Sequence, residues 1–437
     1  MKINVEEIRK LVNYDDVHTQ RSELLKFRVF DKLPQVAVYP ADYRQISAVL
    51  RYCNDNGLSV IPFGSCSKAK YGNTLTTFDV ALSLEKLNKI LDHNHSDFII
   101  TVQAGAKIAD IQDFLEDKKQ FIALDPPLVD KGATIGGIIA TNDYGPSRLR
   151  YGTLREQIIE IVAIGPDGKI FKGGAKVVKN VAGYDIHKLL VGSLGTLGIV
   201  VEASIKLYPV QEESLTYITG ISDTESLKMC LEKILNADLV LSSIEVINSE
   251  LAADIFKISG IRPINFPHTM VLRIENVKQA VVDQMELVKN ILNSDGLEGA
   301  VIENDGVLWD LLRNFHYPAD RNCIACRISV PISEIPRVLD YTQEFSENLD
   351  VKILSSAKAG NGIIQLMLEG ENKGLEMAAE LLRSYLTTIK GSAVYQDVPE
   401  DFGKFDTWGD LGPSKGLMQL LKKNFDPNNI LNPGRLI

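Results

Sequence analysis

Hydrophobic and polar positions follow two rhythms along this chain. From Tyr43 to Asn56 the apolar residues Ile46, Val49 and Leu50 share one helical face, and Gly57 follows as a C-terminal stop signal. Lys107 to Lys118 has the same period in Ile108, Ile111 and Leu115, and Asn4 to Val12 gives a shorter helical segment. Between them lie short β-rich runs at Leu58 to Phe63, Val80 to Leu84 and Phe98 to Gly105. Further strands are predicted at Ile158 to Gly165, Lys169 to Lys172 and Ile199 to Leu207, with Pro166 to Gly168 as a turn. This alternation suits two α+β subdomains with a ligand between them, closed by Tyr208 and Pro209.

Beyond residue 210 the helical period dominates in SLKMCLEKILN, VKQAVVDQMELVKNIL and GLEMAAELLRSYL, interrupted by strands such as HTMVLRIE and IIQLMLEG. Helices packed on one face of an antiparallel sheet are the simplest architecture for this part. The predicted organisation is a helical lead-in over 1–30, an α+β domain over 31–209, a second α+β domain over 210–400 and a terminal segment over 401–437.

Glycine breaks the pattern where chemistry is expected. Leu124 to Val200 contains LDPP, TIGGIIATNDYGPSRLRYGT, KNVAGYD and VGSLGTLGIV, more small residues than a packed core requires. Gly136, Gly137, Gly145 and Gly152 leave backbone N–H groups accessible to something flat or anionic. Upstream, VIPFGSCSKAKYGN offers Gly64, Ser65, Ser67 and Lys68, a tight loop with amide donors, hydroxyls and one cation suited to a pyrophosphate. Neither GxGxxG between strand and helix nor GxxxxGK[ST] is present; Gly192, Gly195 and Gly198 have GxxGxxG spacing instead.

Composition narrows the class. The 437 residues carry a net charge of −10, with 45% hydrophobic and 24% charged residues, which describes a globular protein of two or three domains without the basic excess of a nucleic-acid binder. No apolar run reaches the length of a membrane span, and MKINVEEIRKLVNYDD is too polar for a secretory signal, so a cytoplasmic location is expected. Five scattered cysteines fit a reducing compartment. Cys323 and Cys326 form CxxC within a strand pattern, with no second pair to complete a metal site.

The motifs GSCSKAKYG (Gly64 to Gly72), GPSRLRYGTLRE (Gly145 to Glu156), GGAKVVKNVAGYDIHKLLVGSLGTLG (Gly173 to Gly198) and FDPNNILNPGR (Phe425 to Arg435) together resemble the vanillyl-alcohol oxidase and p-cresol methylhydroxylase superfamily. Within it, the likeness is to the smaller FAD-binding subunit of bacterial glycolate oxidase. The resemblance implies a two-subdomain FAD-binding domain of the p-cresol methylhydroxylase (PCMH) type, a cap domain, and a C-terminal return to the FAD domain. It further implies that Gly64, Ser65, Cys66, Ser67 and Lys68 meet the FAD phosphates, and that Pro126, Thr134, Gly136, Gly137, Asn142 and Gly145 line the ribityl chain and flavin edge. Ile199 would meet the adenine, and Gly152 completes the predicted cofactor set. Superfamily members that tether their flavin through this loop use a histidine where Cys66 stands, so non-covalent FAD is expected.

Arg148 is open to two readings, a cation stabilising reduced flavin or a surface ion pair, and Arg150 beside Tyr151 shares that ambiguity. Tyr184, near Lys179 and Asn180, is a candidate for orienting a substrate, while His187 reads as a packed histidine. Catalytic 2-hydroxy-acid dehydrogenases of the superfamily carry HxGDGNxH in the cap, whose histidines hold a metal or the substrate. Here KAGNGIIQ corresponds, with Lys358 and Gln365 for the two histidines and Asn361 for the aspartate. The resemblance therefore implies a flavin subunit that works beside a catalytic FAD-linked oxidase and an iron–sulfur protein on a small 2-hydroxy acid, with peripheral membrane association through that complex. A self-sufficient 2-hydroxy-acid dehydrogenase and an assembly subunit with a vestigial flavin site are the alternatives.

Overall fold

A computed structural model describes residues 3–176, 184–317, 321–402 and 405–436. The chain divides into two units: Met1–Tyr144, Thr153–Pro209 and Lys404–Ile437 form the first, and Gly145–Gly152 with Val210–Gly403 form the second.

Among the described residues the first unit has two main sheets and a short antiparallel pair, Gln120–Phe121 with Tyr208–Pro209. In one, the strands Val36–Val38, Val80–Ser83 and Val60–Phe63 run parallel, and Val17–His18 pairs antiparallel at the edge. The helix Tyr43–Asn56 starts on Asp42, whose carboxylate accepts from the Gln45 amide, and stops at Gly57 with φ +62°. Its buried face is Ile46, Val49, Leu50 and Cys53, each aliphatic side chain contributing about 1.5–3 kcal/mol by leaving water. The second sheet is antiparallel, in the order Ile90–Asn94, Ile99–Gln103, Ile199–Lys206, Ile158–Ile164, Ile170–Gly174. The helix Ile108–Glu116 buries Ile108, Ile111 and Leu115 in the core beside this sheet.

The TIGGIIAT segment is itself a helix, Ile135–Thr141. Thr134 caps it by accepting from the Gly137 amide at 3.2 Å, and Asn142 ends it in the left-handed region. The terminal segment returns to the first sheet: the Val60 amide donates to the Ile430 carbonyl at 2.8 Å, and the Asn432 amide donates to the Val60 carbonyl at 3.0 Å.

The second unit carries an eight-stranded antiparallel sheet. Its order is Gly299–Ile302, Glu213–Ile221, His268–Asn276, Leu241–Asn248, Lys352–Lys358, Ile363–Glu369, Cys323–Ser329, Ser392–Asp397. Helices do not keep to one face, as the simplest architecture would have it. Met270 meets Cys230 of helix Thr224–Asn236 on one side, while its neighbour Val271 packs with Leu251, Ile255, Leu308 and Leu312 of two shorter helices on the other. The two shorter helices, Ser249–Ser259 and Gly306–Asn314, cover the apolar part of that second face; the rest of it is polar.

Candidate functional site

In the first unit, the loop after strand Val60–Phe63 faces the start of helix Ile135–Thr141 across a cleft of about 740 Å³, its open mouth included. Gly64, Ser65, Cys66, Ser67 and Lys68 form one wall, Thr134, Gly137 and Asp143 another, and Leu194, Asn432 and Arg435 close it. A second hollow continues past Gly64 and Thr134 to Gly136, Gly198 and Ile199. Gly64 and Thr134 make the narrowing between the two, because any Cβ at Gly64 would overlap the Thr134 hydroxyl.

The two helix glycines differ in purpose. A Cβ at Gly136 would sit 2.9 Å from the Ala104 backbone, so this glycine allows the helix to lie against a strand. Gly137 has only the Thr134 hydroxyl nearby, at 3.3 Å, and opens onto the cleft. Backbone strain gathers around the same space: Cys66, Leu128, Asn142, Leu194 and Asn432 all have positive φ, a conformation that costs a non-glycine residue energy and persists only where the surroundings enforce it.

The electrostatics of the cleft depart from those expected of a simple cationic loop. Lys68 is ion-paired with Asp143, and both side chains are largely buried. Burial pushes the Cys66 thiol up to about 12. Asn432 donates to the Leu194 carbonyl at 2.6 Å, leaving its own Oδ1 buried without a hydrogen-bond partner. Arg435, 5% exposed, donates to the carbonyls of Ala69, Gly72 and Asn73, and burial lowers its pKa to about 9.

Of the residues singled out from sequence, Gly64 to Lys68, Thr134, Gly136, Gly137 and Ile199 line these hollows. Pro126 is buried beside the lining residue Pro127, and Asn142 caps the helix without lining either hollow. Gly145, Arg148 and Gly152 belong to the second unit, where the helix Arg148–Tyr151 packs on strand Leu241–Asn248 and Leu149 fills the space over Gly360. Arg150 donates to the Glu275 carbonyl there. Tyr184 is 92% exposed, and Lys179 and Asn180 lie outside the described residues. His187 is buried, its pKa lowered by desolvation. Sequence reading did not single out Asp143, and had Asn432 and Arg435 only within the C-terminal motif that returns to the FAD domain.

The polar part of the second unit's sheet holds the KAGNGIIQ hairpin. Lys358 and Glu245, 4% and 1% exposed at their side chains, pair at 3.2 Å, and Ser356 donates to the other Glu245 oxygen at 2.6 Å. Gln365 lies 3.4 Å from His316, and Asn361 Oδ1 is buried without a partner. An ammonium stands where the resemblance puts the first metal-holding histidine, and a carboxamide where it puts the second. This set does not fit a divalent ion: Lys358 supplies positive charge and no lone pair while protonated. Among the described residues, no group of three or more His, Cys, Asp or Glu could hold a metal. Cys323 and Cys326 form no disulfide and stand three residues apart on one strand, hence on opposite faces.

This cleft, with its glycine-rich loop and strained rim, lies in an FAD-binding domain of the PCMH type, and the terminal segment that closes it matches the C-terminal domain of FAD-linked oxidases. The model for the FAD binding domain matches residues 34–174, and that for the C-terminal domain of FAD linked oxidases matches residues 413–436. Among curated proteins, the chain is 26% identical to D-lactate dehydrogenase of Anaerostipes hadrus, covering 97% of this chain and 93% of that one. It is likewise 26% identical to glycolate oxidase subunit GlcD of Bacillus subtilis, covering 92% and 90%. The solved structure of p-cresol methylhydroxylase with substrate bound superposes with a TM-score of 0.79 at 15% identity, over 99% of this chain and 95% of that one, a likeness of fold. No helix among the described residues is long and apolar enough to cross a membrane.

Proposed function

We propose that the protein is an FAD-dependent oxidoreductase of 2-hydroxy-acid metabolism that works as the flavin-binding subunit of a glycolate-oxidase-like complex. In this reading Gly64 to Lys68 and Thr134 hold the phosphates, Gly137 admits the ribityl chain, and Ile199 marks the adenine end. Bound FAD supplies hydride and electron acceptance; the protein's part is to hold it and to exclude water. The relatives named above act, by their names, on D-lactate or belong to glycolate oxidase, which supports a small 2-hydroxy acid as the electron source.

The observation that carries the subunit assignment is the Lys358–Glu245 pair. An efficient 2-hydroxy-acid site needs a base within about 3 Å of the hydroxyl proton. Lys358 stands at the first histidine position as an ammonium already engaged by Glu245, and Gln365 at the second carries no basic nitrogen. Proton abstraction is then supplied by a partner flavoprotein with HxGDGNxH, and onward electron transfer by an iron–sulfur partner. None of the five cysteines is in a disulfide, which suits a reducing cytoplasmic compartment.

A second reading, a self-sufficient dehydrogenase, is favoured by the nearly full-length match to D-lactate dehydrogenase. Anaerobic mixing of the purified chain with glycolate or D-lactate separates the two. The subunit reading expects slow or no bleaching of the flavin until the partners are added. Fast stoichiometric bleaching by the chain alone overturns it.

A further inference from the structure

A pyrophosphate brings negative charge into a cleft, and the residue expected to meet it, Lys68, is already neutralised by Asp143. Among the described residues lining the two hollows, Arg435 is the other cation. Its hydrogen bonds all end on backbone carbonyls, those of Ala69, Gly72 and Asn73. Carbonyl dipoles orient a guanidinium without cancelling its charge. A buried charge lacking a counter-ion is destabilising, and an arriving anion relieves that cost.

Three donated bonds also leave part of the five-donor fork unused. Three residues earlier, Asn432 adds an unpartnered buried acceptor to the same wall, suited to a hydroxyl group. Charge and acceptor together match a ligand that carries both phosphate and polyol.

We propose that the terminal segment is part of the cofactor site, and that Arg435 is the cation that meets a phosphate of FAD, with Asn432 accepting from a hydroxyl of its sugar-alcohol chain. This rests on the cleft being the FAD site. The segment would then act as more than a structural strap: it supplies the charge that the phosphate loop spends on Asp143.

Binding of FAD and of riboflavin, which lacks phosphate, to flavin-stripped full-length protein tests the assignment. Arg435→Gln should weaken FAD about 10- to 100-fold and leave riboflavin within about twofold. Arg435→Lys should recover much of the FAD loss, since it keeps the charge. In the unaltered protein, FAD affinity should fall with salt more steeply than riboflavin affinity, and inorganic pyrophosphate should compete with FAD. That pair of measurements decides the matter even if Arg435→Gln fails to fold. Equal losses for both flavins, or equal salt slopes without competition by pyrophosphate, overturn the assignment. Gly137→Leu is the control for the cleft: if that variant binds both flavins normally, the location of the cofactor is wrong, a failure distinct from that of Arg435.

Discussion

Lys68 and Asp143 form an ion pair in the wall of the first unit's cleft, so the lysine of the glycine-rich loop spends its charge on a side chain of its own unit. Asp143 is anchored directly after the helix end at Asn142. Their pairing ties the loop to that helix.

Removing one partner from this buried pair strands the other. Asp143→Ala is expected to lower the stability of the flavin-free protein by about 3 kcal/mol, and a second change, Lys68→Met, to restore most of it. Urea unfolding followed by circular dichroism measures both. An unchanged midpoint in Asp143→Ala would show that solvent already screens the pair.

The glycines of the capped helix should separate by phenotype. Gly137→Leu points a side chain into the cleft and should give folded, colourless protein. Gly136→Leu would collide with the Ala104 backbone and should lower the melting temperature whether or not FAD is present. Flavin content after purification and a thermal melt distinguish the two. Yellow Gly137→Leu protein with one FAD per chain would mean that the cofactor takes another path.

Cys66 should be inert. Burial raises its thiol from 9.0 to about 12, so the proton stays on throughout the neutral range, and the thiolate at pH 8 is roughly a thousandfold scarcer than for an unperturbed thiol. Alkylation of Cys66 by iodoacetamide in the flavin-free protein, followed by mass spectrometry, should still be accelerating with pH at pH 10. A plateau near pH 9 would contradict the assigned environment. The same protonated thiol predicts that FAD leaves intact on denaturation.

The Lys358–Glu245 pair predicts indifference to metal chelators. Flavin reduction in the assembled complex should respond to EDTA only through the partner, and the isolated chain should carry no stoichiometric divalent ion. Elemental analysis of the gel-filtered protein checks this. An ion retained at one per chain and lost on Glu245→Gln would refute it.

How far the fold could be read from sequence depended on where polar residues were placed. The helix Tyr43–Asn56 and the strands Ile158–Ile164 and Ile199–Lys206 were legible because their apolar residues face a core and their ends carry ordinary stop signals. Strand Leu241–Asn248 was not, since Ser243 and Glu245 are polar yet fully buried, which erases the alternation that marks a strand. Helix Ile135–Thr141 hid behind its two glycines, poor helix formers whose presence answers a close strand at Gly136 and the open cleft at Gly137. The cleft-lining loop Gly64 to Lys68 stood out by its composition. Asp143 could not, because only the fold brings its carboxylate to Lys68.

Arg435 and Ala69, hydrogen-bonded to each other, stand 366 residues apart in the chain. During synthesis the first sheet and the loop Gly64 to Lys68 emerge early, but the wall formed by Asn432 and Arg435 cannot exist until residue 435 has been made. A ribosome-bound nascent chain would therefore hold an unfinished cleft. A chain cut before Asn432 would keep nearly all of its core and lose this wall of the cleft.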